Sequence, residues 1–209
     1  MKAATTFLNN LVGRVPLHKF FNLPMTPQGY YLLSIPVVYS NINHMRDYLD
    51  SHLLTGHKAL DIGSGPGGFS RYLRDKRKME VTSIEPSKHM RAFSRWLGTR
   101  AIDGTAQSLP IDGPFDLVIA FHLLRYIPPD DTHNVLSRIS RVTKNMGVLV
   151  ISDFILPEFN NVIIKEKFSG MWSGLNSEGM IAEVEKYGFR ITDLRRPFLS
   201  HMMIFRRIG

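Results

Sequence analysis

Apolar residues in this chain alternate between short continuous runs and stripes of helical spacing. Residues 37–54, VVYSNINHMRDYLDSHLL, set Ile42, Met45, Tyr48, Leu49 and Leu53 near a 3.6-residue period, which predicts an amphipathic helix. KALDI then reads as a short buried strand, and a glycine-rich turn leads into a helix beginning FSRYLRD. EVTSIE at 80–85 predicts a second strand. A second helix follows, PSKHMRAFSRWL, with Met90, Phe93 and Leu97 on one face and Ser87 as its cap. FDLVIAF at 115–121 is apolar almost throughout, as a central parallel strand covered on both faces must be. DDTHNVLSRISRVT repeats Val135, Leu136, Ile139 and Val142 on a helical face, with Asp130 and Asp131 at its positive end. VLVISDF, a last helix SEGMIAEVEKY, and two β-rich stretches, FRITDL and FLSHMMIF, complete the chain, the last two expected as an antiparallel hairpin. Alternation of this kind predicts a doubly wound α/β sheet that binds its ligand at the carboxyl ends of the strands.

Composition narrows what such a sheet could do. At 209 residues, 44% apolar and 21% charged, the chain suits a single structural domain with a short appendage. Its longest apolar stretch, Tyr30 to Tyr39, is broken by Ser34 and Pro36, so no transmembrane helix is expected. With no secretory signal pattern and no cysteine, a cytoplasmic location is expected, and thiolate chemistry is excluded. The net charge of +8 is unevenly spread: the first 46 residues hold Lys2, Arg14, Lys19 and Arg46 but no acidic residue, and RYLRDKRK forms a second basic cluster. A nucleic-acid partner therefore stays in view.

The candidate chemistry begins at ALDIGSGPGGFS, residues 59–70. Gly63, Gly65 and Gly68 have the Gly-x-Gly-x-x-Gly spacing, and the absence of a Gly-Lys-Ser/Thr run argues against a triphosphate site. With Asp61 two positions before the first glycine, and with Pro66, the stretch resembles the first motif of class I, Rossmann-like S-adenosylmethionine-dependent methyltransferases, in their type-11 branch. Four further stretches fit the resemblance in order. Glu85 lies 22 positions after Gly63, where that family places a carboxylate on the ribose hydroxyls. DGTAQSLP resembles the adenine-side loop, FDLVIAFHLLRYIP the fourth strand and its turn, and SEGMIAEVEKYGF the last helix and sixth strand. The resemblance covers residues 57–209 as a methyltransferase core, with 1–56 as an N-terminal helical cap or lid. It implies a mostly parallel seven-stranded sheet with an antiparallel C-terminal strand. S-adenosyl-L-methionine is the implied cofactor, held by Asp61, Gly63, Ser64, Gly65, Pro66, Gly67, Glu85, Pro86, Thr105, Ala106, Gln107, Phe121 and His122. Thr105 departs from the pattern, since an acidic residue often stands there, and backbone at Ala106 with Gln107 can read the adenine instead. No metal is implied.

Methyl transfer from a sulfonium needs alignment and exclusion of water more than it needs a base. Where the acceptor is a hydroxyl, His122 and His201 are candidate bases and Tyr126 a candidate orienting group. Tyr30, Tyr31, Phe159, Phe168 and Trp172, in the stretches 22–39 and 155–175, are candidate walls of an apolar acceptor pocket. The same aromatics also suit ordinary core packing. The expected activity is O- or N-methylation of a small molecule by in-line displacement. An RNA methyltransferase is the alternative, weakened because Phe121-His122 stands where the ribose-methylating branch needs an Asp and because the Asn/Asp-Pro-Pro-Tyr/Phe motif is missing. A non-catalytic cofactor-binding partner subunit is the third reading, and a nicotinamide dehydrogenase the remotest.

Overall fold

The computed structural model describes residues 26–52, 57–154, 177–197 and 200–209. Its elements are helix α1 (Pro27–His52), β1 (Lys58–Ile62), α2 (Gly68–Arg77), β2 (Glu80–Ile84), α3 (Lys88–Trp96), β3 (Arg100–Ile102), β4 (Phe115–Phe121), α4 (Thr132–Val142), β5 (Thr143–Phe154), α5 (Ser177–Glu185), β6 (Phe189–Arg195) and β7 (Ser200–Arg207). The seven strands form one sheet in the order β3-β2-β1-β4-β5-β7-β6. The first five run parallel, and β7 is antiparallel to both of its neighbours, β5 and β6. The chain winds outward from β1 to β3 and then returns to lay β4 on the other side of β1. That reversal is the topological switch point, the place where sheets of this kind bind their ligands, and the turns that follow β1 and β4 lie on either side of it.

Period-two alternation along the strands divides the core into two layers. On one face Leu60, Ile62, Val118, Ala120, Leu149, Ile151, Met203 and Phe205 pack against Val135, Leu136 and Ile139 of α4 and Met180 and Val184 of α5. On the other, Ala59, Leu117, Ile119, Val148, Val150, Met202 and Ile204 pack against Met45, Tyr48 and Leu49 of α1 and Phe69 and Leu73 of α2. The latter half of α1 is thus a layer of the core itself. Among the described residues, no helix is long and apolar enough to cross a membrane.

Three element boundaries differ from those the pattern predicts. Helix α1 begins at Pro27, ten residues before the expected start, and runs through Pro36. Proline removes one backbone donor, yet Pro36 lies on the exposed side of the helix, where the carbonyl it strands can meet water. Strand β3 is three residues long and carries too few side chains to show a period. Helix α4 stops at Val142, so β5 starts at Thr143, five residues before the expected strand, and its pairing with β4 is irregular between Phe115 and Leu117.

Candidate cofactor and acceptor site

The turn after β1 is pinned to the tip of β2. Gly63 and Ser64 both donate their N–H groups to the Ile84 carbonyl, at 2.8 and 3.2 Å. Glu85, only 8% exposed, takes the Gly65 N–H on Oε2 at 2.8 Å and the Ser87 N–H on Oε1 at 2.9 Å. The carboxylate is therefore fixed by one bond to each oxygen, with lone pairs left for further donors. Gly63 has φ +71°, and a Cβ there would lie 2.9 Å from Leu123 Cδ1, so the turns after β1 and β4 touch across the switch point. Ser64 Oγ is buried with no hydrogen-bond partner among the described residues. A bare, tightly turned loop with an orphan hydroxyl beside an anchored carboxylate fits a ligand rich in hydroxyl and polar groups, as the ribose and amino-acid ends of S-adenosylmethionine are.

Asp61 faces the α1 and α2 side of the sheet. Its Oδ2 accepts the Ser70 hydroxyl at 2.5 Å, and Ser70 in turn lies 2.8 Å from the Ser83 hydroxyl of β2. Burial pushes its pKa up to about 6; the Glu85 charge adds to the rise and the bond from Ser70 opposes it. A carboxyl whose folded pKa is raised contributes stability that is complete below its unfolded value, near 3.8, and lost as pH climbs through about 6. The unfolding free energy of Asp61→Asn, whose side chain cannot ionise, should accordingly gain about 2 kcal/mol on wild type between pH 4 and pH 7, at ~1.4 kcal/mol per unit. Denaturant titrations at the two pH values measure this, and a constant difference between the proteins would assign the ionisation elsewhere.

The remaining expected site residues are dispersed around this centre. Pro86 continues the Glu85 turn and offers its carbonyl to Arg91 at 2.6 Å. Thr105 is exposed and accepts the Ser108 N–H at 3.2 Å, while Ala106 is buried in the core. The Gln107 side-chain amide donates to Asp131 at 3.3 Å and the Gln107 backbone carbonyl accepts from the Asn134 side chain at 3.2 Å, which ties the loop to the start of α4. Phe121 packs edge-on against Phe69 at 4.7 Å on the α2 side. Tyr31 meets Phe93 edge-on at 5.6 Å, and a Cβ on Gly68 would lie 3.3 Å from its ring, so it stands beside the start of α2. Tyr126 is 61% exposed in a 3₁₀ turn after β4. His201 contacts the Ser177 hydroxyl; burial, helped by Arg196, holds its pKa below the usual imidazole value. The side chain of Tyr30, and Phe159, Phe168 and Trp172 entirely, lie outside the described residues.

His122 follows β4 with φ +52°, a left-handed conformation that is uncommon outside glycine, and donates its N–H to the Ser152 carbonyl at 2.7 Å. Its Nδ1 is 3.7 Å from Oδ1 of Asp153, a carboxylate only 2% exposed. Sequence reasoning missed Asp153, although an acidic residue closing the apolar run VLVISDF was the available signal. It missed Ser70 and Ser83 as well.

Comparison with known proteins agrees with this geometry. A methyltransferase-domain family profile matches residues 60–151. A malonyl-[acyl-carrier protein] O-methyltransferase of Enterobacter lignolyticus is 27% identical over 174 residues, covering 73% of this chain; the chain spans 64% of that relative's length. A protein from Pyrococcus horikoshii superposes with a TM-score of 0.65 at 21% identity, covering 81% of this chain and 90% of its own. The magnesium protoporphyrin IX methyltransferase of Synechocystis, solved with S-adenosylhomocysteine bound, superposes with a TM-score of 0.64 at 17% identity, covering 82% of this chain and 84% of its own. The matched domain at residues 60–151, the sheet order and the glycine turn joined to Glu85 together support a class I, Rossmann-like S-adenosylmethionine-dependent methyltransferase of the type-11 branch.

Proposed function

We propose that this protein is a cytoplasmic enzyme that methylates a small-molecule acceptor at the crevice between the turns after β1 and β4. The observation that carries the cofactor's place is the Glu85 carboxylate locked onto the Gly65 N–H. The glycine turn and Glu85 hold the cofactor in this reading, and Tyr31 and Leu123 help to close the crevice around it. When bound, S-adenosylmethionine supplies an activated methyl group on a sulfonium. The protein's share of the work is to align the acceptor and keep water out.

A small acceptor is favoured over RNA by the state of the basic cluster on α2. Arg71 and Arg74 both pair with Asp75, at 3.3 and 2.7 Å, and Arg77 pairs with Asp50 of α1. Three of the arginines that would meet a phosphate backbone are already engaged by two carboxylates on the protein. The relative named for a malonyl group is consistent with a small acceptor, since a malonyl group is small even when a carrier protein presents it.

The test is to incubate the protein with methyl-labelled S-adenosylmethionine and, separately, total RNA or a small-metabolite extract. Label is expected in a low-mass product. Strong labelling of RNA that is lost when Arg71, Arg74 and Arg77 are neutralised would replace this reading with the nucleic-acid one. Binding of S-adenosylhomocysteine without label in either fraction would favour a non-catalytic partner.

A further inference from the structure

Helix α3 buries a cation at its less favourable end. Arg91 is only 9% exposed and stands near the helix N-terminus, whose partial positive charge opposes a guanidinium. Three oxygens surround its Nη1: the Glu85 carbonyl at 2.8 Å, the Pro86 carbonyl at 2.6 Å and Asp103 Oδ1 at 2.8 Å. The first two lie just past the tip of β2, and the third just past β3. On the proposed methyltransferase reading, on which this inference rests, we propose that Arg91 is a positioning residue of the cofactor site. It fixes the backbone beneath the Glu85 carboxylate and ties that turn to the start of the 103–110 loop, so that both carboxylate oxygens face the ribose together.

Taking a guanidinium out of water is unfavourable unless acceptors replace the lost hydration, and two main-chain carbonyls and a carboxylate do so here. The ion pair is the smaller part, because Asp103 is 73% exposed and its attraction is screened. The carbonyl bonds are the larger part, and they complete the hold on Glu85. Its N–H donates to the Ile102 carbonyl of β3 at 3.1 Å, Oε2 takes the Gly65 N–H, Oε1 takes the Ser87 N–H, and its carbonyl takes Arg91. Each polar group of Glu85 is thus engaged, three by main-chain groups and the fourth by the Arg91 side chain. An apolar side chain of similar volume at position 91 would fill the same space with little loss of stability, since buried charges are seldom retained for stability alone. What the guanidinium supplies beyond such a chain is direction, and a carboxylate oriented before the ligand arrives binds it with less ordering to do.

The consequence is specific to one part of the ligand. A carboxylate that already accepts one N–H on each oxygen keeps lone pairs for two ribose hydroxyls, provided that both oxygens are presented at once. Without Arg91 the turn after β2 loses the bonds to two successive carbonyls, and the carboxylate is free to favour one hydroxyl over the other. Arg91 acts on the ligand through Glu85 alone in this arrangement. Its effect should therefore shrink when either end of that contact is taken away, the carboxylate or a ribose hydroxyl.

Isothermal titration of wild type and Arg91→Met with S-adenosylhomocysteine and with its 2′-deoxyribose analogue tests this. Wild type should bind the deoxy analogue about tenfold or more weakly than the parent, as loss of a charge-assisted bond predicts. Arg91→Met should bind S-adenosylhomocysteine roughly fivefold to twentyfold more weakly than wild type, yet separate the two ligands by about threefold or less. Its unfolding midpoint in denaturant should stay near that of wild type. Losses that simply add, so that the variant discriminates between the ligands as wild type does, would make Arg91 a merely structural residue and overturn the proposal. Undiminished affinity of the variant would do the same, as would indifference of wild type to the missing hydroxyl. Should Arg91→Met fail to fold, the same comparison is made on Arg91→Lys, whose compact ammonium keeps the charge but lacks the planar fork that spans the two turns. Failure of the wild-type protein to bind S-adenosylhomocysteine at all overturns instead the methyltransferase reading beneath.

Discussion

Glu85→Ala is expected to raise the dissociation constant for S-adenosylhomocysteine by roughly thirtyfold to a thousandfold, or ~2–4 kcal/mol. Two losses combine. The Gly65 and Ser87 N–H groups lose the carboxylate that each now meets, so the glycine turn keeps its bonds to the Ile84 carbonyl but loses its tie through Gly65. The two ribose hydroxyls proposed to bond the same carboxylate lose charge-assisted acceptors worth ~1.5–3 kcal/mol each before water replaces part of that. Glu85→Gln should recover little, because its amide presents a donor to one of two backbone groups that are themselves donors. Isothermal titration of both variants, with circular dichroism to confirm the fold, decides the matter, and NAD titrated in parallel should give no heat. An unchanged dissociation constant in a folded Glu85→Ala protein would remove Glu85 from the site.

How far the sequence could be read depended on the distance over which each feature is determined. Buried parallel strands announce themselves in a few consecutive residues, and LDIGSGPG fixes a strand, a turn and a helix start within one window. The position of Glu85 was legible because a strand tip follows its own hydrophobic run. The extent of α1 was not, since Pro36 is a local stop signal that its exposed position on the helix overrides. Side-chain partnerships across elements were illegible for a different reason. Ser70 reaches Asp61 and Ser83 from another element, and Gln107 is bound to Asp131 of the turn before α4; neither pairing leaves a periodic trace. The His122, Asp153 and His201 alignment exists only once β7 is inserted antiparallel beside β5 in one particular register. Local chemistry thus carries the proposed cofactor side of the site, whereas the neighbours of His122 depend on sheet order.

Gly67→Ala should cost ~2–5 kcal/mol of stability and lower the melting temperature by roughly 5–15 °C, an unusually large effect for adding one methyl group. Gly67 has φ +82° at the start of α2, where an L-residue pays ~1–2 kcal/mol. Its new Cβ would also lie 2.3 Å from Ser94 Oγ and 3.4 Å from Thr99 Oγ1. Neither hydroxyl can swing aside easily: both residues are buried, the two hydroxyls bond each other, and Thr99 Oγ1 also donates to the Ser94 carbonyl at 2.8 Å. Overpacking of this kind adds ~1–3 kcal/mol. Gly63→Ala is the informative contrast, because its 2.9 Å neighbour is the flexible end of Leu123, so the conformational cost remains but the steric one is partly relieved. Pairing Gly67→Ala with Ser94→Gly should likewise recover the steric share and leave the conformational share. Thermal melts of the four proteins resolve the two contributions, and a Gly67→Ala melting temperature within about 2 °C of wild type would show that the α2–α3 contact yields. Because Gly67 also sets the angle at which α2 leaves the turn bonded to Glu85, the same variant should weaken S-adenosylhomocysteine binding, and Ser94→Gly should restore part of that affinity along with part of the stability.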